Sequence, residues 1–343
     1  MFTVIDCGTT FTRIFVVDDK DHIVASGREK IGVRDTAISG KIDILRKGIE
    51  DLYNKVLKDN QIDNDKISFA IASGMITSET GLIEIPHLMA PIGIEDLANN
   101  IIEVEANKLL NIGCPILFVP GIRNSYGGQV GIKDLCNIDF MRGEEVQCVG
   151  IMQQQHIQNP CSIVALSSHT KIIFVDSHGR ITASSTTISG QLYEAIVQST
   201  NIGKSITLMD NEGKGKYSYE ELLDAALECV SNYGLVRTML MPRLMEVLLQ
   251  TTSWERQIFA DAAIAVDDLK IFDNMRHRGL ANNEYVLYGQ ENRCKMYEYF
   301  LKKRYGKKLK IRYISDMEQI NKLTIQGSIA IAKQYLQQKS CSK

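Results

Sequence analysis

Three short apolar runs open the chain, "FTVIDCG", "RIFVVDD" and "HIVASGRE", each closed by charged or glycine-containing residues. That pattern predicts three consecutive strands joined by tight turns. Over 41–58, Ile42, Leu45, Ile49, Leu52 and Val56 recur at helical spacing. "KISFAIASGM" then reads as a compact buried strand, 94–110 as a helix, and "CPILFVPGI" as a second buried strand that breaks at Pro120 and Gly121. A helix is predicted from Arg142 through Val149 to Gln154.

The opening pattern then returns in "CSIVALSSHTKIIFVDSHGRITASSTTISG": a buried strand, a small polar turn at 167–170, a second apolar strand, a turn at 177–179 and a third strand. Helices are predicted over 191–198, 219–230, 236–249 and 254–266. A strand ending at Gly289 enters another helix, and a last helix begins near Ile325. Two copies of a hairpin-led α/β unit predict two similar domains, 1–158 and 159–343, facing across a cleft. The hairpin tips 6–10 and 167–170 would approach it from opposite sides.

Composition narrows the function. Thirty-nine basic and forty-one acidic side chains leave a formal charge of −2, which argues against nucleic acid as a partner. The basic run 301–312 alternates with Leu301, Tyr305, Leu309 and Ile311, as a solvated helix end entering a strand would. Eight cysteines include no Cys-x-x-Cys pair, so they read as buried reduced thiols rather than zinc ligands, consistent with a reducing cytoplasm. No signal segment or membrane-spanning run is expected.

Candidate chemistry gathers at the turns. Asp6 at the first tip is the metal candidate, because Mg²⁺ takes one or two carboxylates plus water and phosphate oxygens. Gly8 permits close backbone approach, and Thr9 and Thr10 carry amide and hydroxyl donors for an anion. Arg13 follows on the next strand, within reach of a phosphate or an acidic substrate. A nucleotide between two such domains would rest its phosphates on both tips, with its base near Gly289. Closure would favour phosphoryl transfer to an alcohol over hydrolysis. "DFMRGEEVQCVGIMQ" crowds Asp139, Arg142, Glu144 and Glu145 around Gly143, although an ordinary helix start also favours acids in its first turn. Asp6 as a backbone-capping turn residue, and Arg13 and Lys171 as exposed strand residues, are the structural alternatives.

"DCGTT" with Arg13, Ser73-Gly74-Met75 with Ser78 and Pro86, the Asp139-x-Met141-Arg142-Gly143-Glu144-Glu145-x-Gln147 block, and the turn Ser168-His169-Thr170-Lys171 occur in order. In this arrangement the chain resembles the 2-dehydro-3-deoxygalactonokinase family, sugar-acid kinases of the actin-like, hexokinase-like ATPase superfamily. The resemblance runs along the whole chain and is strongest over 1–190. It implies an α/β fold of two ribonuclease-H-like domains. It also implies ATP and Mg²⁺ as cofactors and phosphorylation of 2-dehydro-3-deoxy-D-galactonate to its 6-phosphate. Glu144 is then the general base, with Glu145 or Asp139 as alternatives; Asp6 holds the metal, Lys171 meets phosphate charge and Arg142 meets the substrate carboxylate. Gly8, Thr9, Thr10, Ser167, Ser168, His169, Thr170 and Gly289 border the nucleotide. Arg13, Ser73, Gly74, Met75, Asp139, Arg142 and Glu145 border the sugar acid. His169 reads as structural or as a hydrogen-bond donor. Small molecules are the expected partners, and a homodimer is compatible with the reading.

The chain also departs from the family. Pro-Gly before the second loop is Leu166-Ser167, a Glu is Gln191, a first-loop Asn is Phe11, a Trp is Ile172, and a glycine-rich helix reads "ADAAIAVDD". These changes keep two other readings open: a kinase of a different small sugar acid or polyol, and a nucleotide-binding regulator without turnover.

Overall fold

The structure, a computed structural model, describes residues 1–126, 128, 130–154, 157–209, 213 and 215–341. Two compact units emerge from its packing. The first combines Met1–Pro160, Val175–Ser184 and the chain from Met317 onward; the second combines Cys161–Phe174 and Ser185–Asp316. The sequence reading of one crossing, between 158 and 159, differs in two ways: a hairpin end and the last helix both return to the first unit.

In the first unit, β1 (Phe2–Cys7), β2 (Thr12–Val17) and β3 (Ile23–Glu29) form the expected antiparallel ribbon. Strand β4 (Ala70–Gly74) pairs parallel to β1. Helices α1 (Val33–Ser39) and α2 (Ile42–Asp59) lie between them in sequence. Leu45, Ile49, Leu52 and Val56 of α2 are buried at the predicted spacing, in a core that includes Ile5, Ile14 and Val16. The short β5 (Leu88–Met89) precedes α3 (Ile94–Asn99). Beyond α3 the predicted helix does not continue, because β6 (Ile102–Val104) instead pairs antiparallel with β7 (Ile116–Phe118) at the sheet edge. Ile102 and Val104 are β-branched and favour that edge pairing. The sheet order is β3-β2-β1-β4-β7-β6. A separate sheet joins β5 to β8 (Ile122–Arg123) and β9 (Phe140–Met141), strands too short to show as a pattern in sequence. Helix α4 (Glu144–Met152) follows.

The second sheet takes β12 (Ile181–Thr187), β11 (Thr170–Val175), β10 (Cys161–Leu166), β13 (Glu284–Gly289) and β14 (Lys310–Ile314), in that order. This repeats β3-β2-β1-β4-β7 strand for strand: a hairpin-led ribbon whose first strand pairs parallel with the fourth, which in turn pairs parallel with the fifth. Both sheets have the ribonuclease-H-like order of the actin/hexokinase-like ATPase fold. Helices α5 (Ser189–Ser199), α6 (Gly203–Ile206), α7 (Tyr219–Thr238), α8 (Met241–Leu249), α9 (Ser253–His277) and α10 (Glu291–Tyr305) belong to the same unit, with α10 packed on β13 and β14 and the others gathered around α9. The gap predicted between 230 and 236 is a kink at Gly234 inside α7 (φ 76°, ψ 166°), and the chain breaks instead at Met239 and Leu240.

The last helix, α11 (Met317–Cys341), begins earlier than predicted and packs on α4 and α3. Gly327 makes that packing close, since a Cβ there would lie 1.9 Å from the Val146 carbonyl oxygen. Helix α4, and the turn that starts it, is therefore braced by the far end of the chain. Among the described residues no helix is long and apolar enough to cross a membrane.

Candidate active site

In the first unit the sheet brings three separated sequence motifs to one point. Asp6 stands beside Arg13 on β2 and beside Ser73 on β4, and Cys7 stands beside Gly74. Gly74 (φ 87°) has no room for a side chain: a Cβ would meet the Cys7 carbonyl oxygen at 2.6 Å and Asp6 Oδ1 at 3.6 Å. Gly143 (φ 107°) has its own Cβ position 3.3 Å from the Gly74 Cα. The turn that starts α4 thus rests on the end of β4, and Glu144, half-exposed, is the first residue of the helix.

The candidate residues divide by what they already hold. Arg13 Nη2 donates to Asp6 Oδ2 at 2.5 Å, and its Nη1 donates to Asn321 of α11. Arg142 Nη1 donates to Thr77 Oγ1 (2.9 Å) and Nη2 to the Ile85 carbonyl (2.6 Å), with His87 Nδ1 at 3.5 Å. Burial holds the Arg142 guanidinium below its usual basicity, a shift that Glu145, Glu79 and Glu84 oppose. Both arginines, expected to face substrate, therefore brace the scaffold in this structure. Glu145 is fully buried, and both its oxygens accept from the Gly143 N–H at 2.8 Å. That is a capping carboxylate, and it ties down the turn that presents Glu144.

Ser73 is buried with no hydrogen-bond partner on its hydroxyl. Met75 opens a short 3₁₀ turn and accepts through its carbonyl from the Ser78 hydroxyl (2.7 Å). Asp139 is half-buried before β9 and its carbonyl accepts from the Asn124 N–H (2.9 Å). At the first tip, the Gly8 N–H donates to the Phe11 carbonyl (2.9 Å), while the carbonyls of Gly8 and Thr9 accept from Val33 (3.3 Å) and Arg34 (2.9 Å) at the start of α1. Thr9 is exposed and Thr10 half-exposed.

For a divalent cation, Asp6 offers a carboxylate as a hard oxygen donor, its Oδ2 also accepting from Arg13. No group of three or more His, Cys, Asp or Glu that could hold a metal occurs among the described residues. One carboxylate suits Mg²⁺, which keeps several waters and takes further ligands from phosphate.

In the second unit the turn between β10 and β11 carries Ser167 and Ser168, both exposed, and His169. The Ser167 N–H donates to the His169 carbonyl (3.1 Å), and Ser168 Oγ lies 3.4 Å from His169 Nδ1. Gly289 ends β13 in register with Leu166, so the strand-to-helix turn before α10 stands directly beside this hairpin. Thr170 and Lys171 are buried, Lys171 only 4% exposed, which excludes the surface-lysine alternative and encloses the charge expected to meet phosphate. Beneath the turn lies a polar cluster the sequence reading did not identify: Ser189, Asp261, Asp268, Arg293 and Tyr297. Its available signal was the spacing of Asp261 and Asp268, two helical turns apart in an alanine-rich stretch of α9.

A family model described as 2-keto-3-deoxy-galactonokinase matches residues 6–319 of the chain. No curated protein matches it. Among solved structures, a candidate 2-dehydro-3-deoxygalactonokinase from Sinorhizobium meliloti shares the fold with a TM-score of 0.71 at 17% identity, covering 97% of this chain and 98% of that one. A carbohydrate kinase from Novosphingobium aromaticivorans gives a TM-score of 0.48 at 9% identity, covering 97% of this chain and 93% of its own.

Proposed function

Because the chain belongs to the 2-keto-3-deoxy-galactonokinase family, a family of sugar kinases, we propose that it transfers the γ-phosphoryl group of ATP to 2-dehydro-3-deoxy-D-galactonate, giving the 6-phosphate. The observation that carries this reading is the contact of Gly143 with Gly74, which stacks the Glu144 turn on the strand pair that holds Asp6.

In this reading Glu144 accepts the proton of the attacking sugar hydroxyl. Glu145 is fully buried whereas Glu144 is half-exposed, which supports Glu144 over its neighbour as that base. Asp6, whose Oδ2 accepts from Arg13, would hold Mg²⁺ through its carboxylate. The metal, when bound, neutralises charge on the phosphates. Ser73, paired with Asp6 across the sheet and with no hydrogen-bond partner on its buried hydroxyl, borders the sugar acid in this reading. Thr9 and Thr10 on the first tip, and Ser167, Ser168 and His169 on the second hairpin, each carry donors suited to phosphate, and Gly289 borders the nucleotide.

Purified protein with ATP, Mg²⁺ and a panel of sugar acids led by 2-keto-3-deoxygalactonate, read by ADP release beside Glu144→Ala, tests the proposal. Release that depends on this acid and collapses in the variant supports it. Release with another acid or polyol moves the acceptor to the second reading, which the engagement of Arg13 and Arg142 within the protein favours. Nucleotide binding without release for any acceptor would identify a regulator.

A further inference from the structure

The turn between β10 and β11 is held from below by two arms that meet on one carboxylate. On one side, Gly190 lies so close that a Cβ would sit 2.3 Å from the Ser167 carbonyl oxygen and 2.8 Å from the Ser168 Cα. The next residue, Gln191, donates its N–H to the Ser168 carbonyl at 2.9 Å. Immediately before Gly190, Ser189 Oγ donates to Asp268 Oδ1 at 2.5 Å. On the other side, Thr170, the first residue of β11, shares a 3.2 Å hydrogen bond with the Tyr297 hydroxyl, which donates to Asp268 Oδ2 at 2.5 Å.

Ser189, Asp268, Thr170 and Tyr297 are all buried. A buried carboxylate is costly unless its oxygens are satisfied, and apolar packing would serve a helix–sheet contact at no such cost. Asp268 meets that cost with two hydroxyls, and each belongs to the arm that supports one side of the same turn. Arg293 adds a third support, its Nη1 donating to the Ser167 carbonyl at 3.3 Å while its Nε lies 3.7 Å from Asp261.

We propose that Asp268 is a positioning residue of the nucleotide-phosphate loop. It sets the spacing between the Gly190 and Thr170 sides of the turn, so that the donors of residues 167–169 converge on the polyphosphate before the nucleotide arrives. The inference rests on reading this hairpin as the second phosphate loop.

The test measures ADP affinity by calorimetry, KM for ATP, KM for the sugar acid and melting temperature in wild type, Asp268→Asn, Tyr297→Phe and Ser189→Ala. Asp268→Asn is expected to weaken ADP binding and raise KM for ATP about ten- to hundredfold, with KM for the acid unchanged. Tyr297→Phe and Ser189→Ala each cut one arm and are expected to show a smaller rise of the same kind. Together they should reproduce the Asp268→Asn loss, which keeps the proposal testable if Asp268→Asn does not fold. Variants that melt earlier but bind ADP as tightly as wild type overturn the inference and leave the kinase reading intact. A wild-type protein that binds no nucleotide overturns the reading of the hairpin and this inference with it.

Discussion

A side chain on Gly143 would begin 3.3 Å from the Cα of Gly74, so two turns almost seventy residues apart pack backbone to backbone. Gly143→Ala forces an L-residue into φ 107° at that contact. The strained backbone is expected to cost about 1–3 kcal/mol. The larger effect should fall on kcat, because the same turn aims Glu144. Steady-state kinetics and thermal melting of the variant check this; wild-type turnover would show that the contact does not place the base.

Glu144 and Glu145 are adjacent and should fail differently. Glu144→Gln is expected to lower kcat about 10²–10⁴-fold, the usual share of a general base, with little change in melting temperature. Glu145→Gln takes a buried charge from the Gly143 N–H and should lower the melting temperature first. Kinetics and melting of the two variants side by side separate the roles, and an exchange of the two phenotypes would reassign the base.

Glu255 in α9 ties a loop to its helix. Its Oε1 accepts from the N–H groups of Lys216 (2.6 Å) and Tyr217 (2.7 Å), and its Oε2 from the Thr252 N–H (2.7 Å) and hydroxyl (2.8 Å). Burial pushes this carboxyl up, but the donors from Thr252, Tyr217 and Lys216 outweigh it and hold the group below its ordinary 4.5. The unfolded chain therefore binds the proton first as pH falls. The stabilisation is present above about pH 4.5 and is lost as pH drops through the lower folded value. Glu255→Gln should be less stable than wild type by about 1–3 kcal/mol at pH 7, and the gap should close in acid. Urea unfolding at pH 7, 5 and 4 tests the slope; a gap constant with pH would remove the charge from the explanation.

Thiol reactivity should follow burial. Burial pushes the Cys7, Cys161 and Cys294 thiols up to about 12, whereas Cys136 and Cys341 are exposed. Iodoacetamide at pH 8 is expected to modify Cys136 and Cys341 and to leave Cys7, Cys161 and Cys294 unmodified until the protein is denatured. Peptide mass spectrometry reads the pattern, and early labelling of Cys7 would mean that the first hairpin opens.

The sequence by itself determined the parts whose cause is local. The three opening strands, the amphipathic helix over 42–59, the returning hairpin and the glycine-centred turn before Glu144 follow from alternation, helical spacing and backbone freedom within a few residues. Tertiary structure decided what depended on distant partners. Residues 102–104 became a strand because β7 offered an edge, and the last helix returned to α4 because Gly327 lets the backbones meet. The chemistry divided in the same way. Residue type marked Asp6, Arg13, Arg142, Glu144 and Glu145 as candidates. The fold then committed Arg13 to Asp6 and Asn321, Arg142 to Thr77 and Ile85, and Glu145 to its own turn. It also placed Asp268 beneath a turn one hundred residues earlier in the chain. A charged side chain can be read from sequence, but its role depends on which donors reach it, and those donors come from strands and helices that only packing brings together.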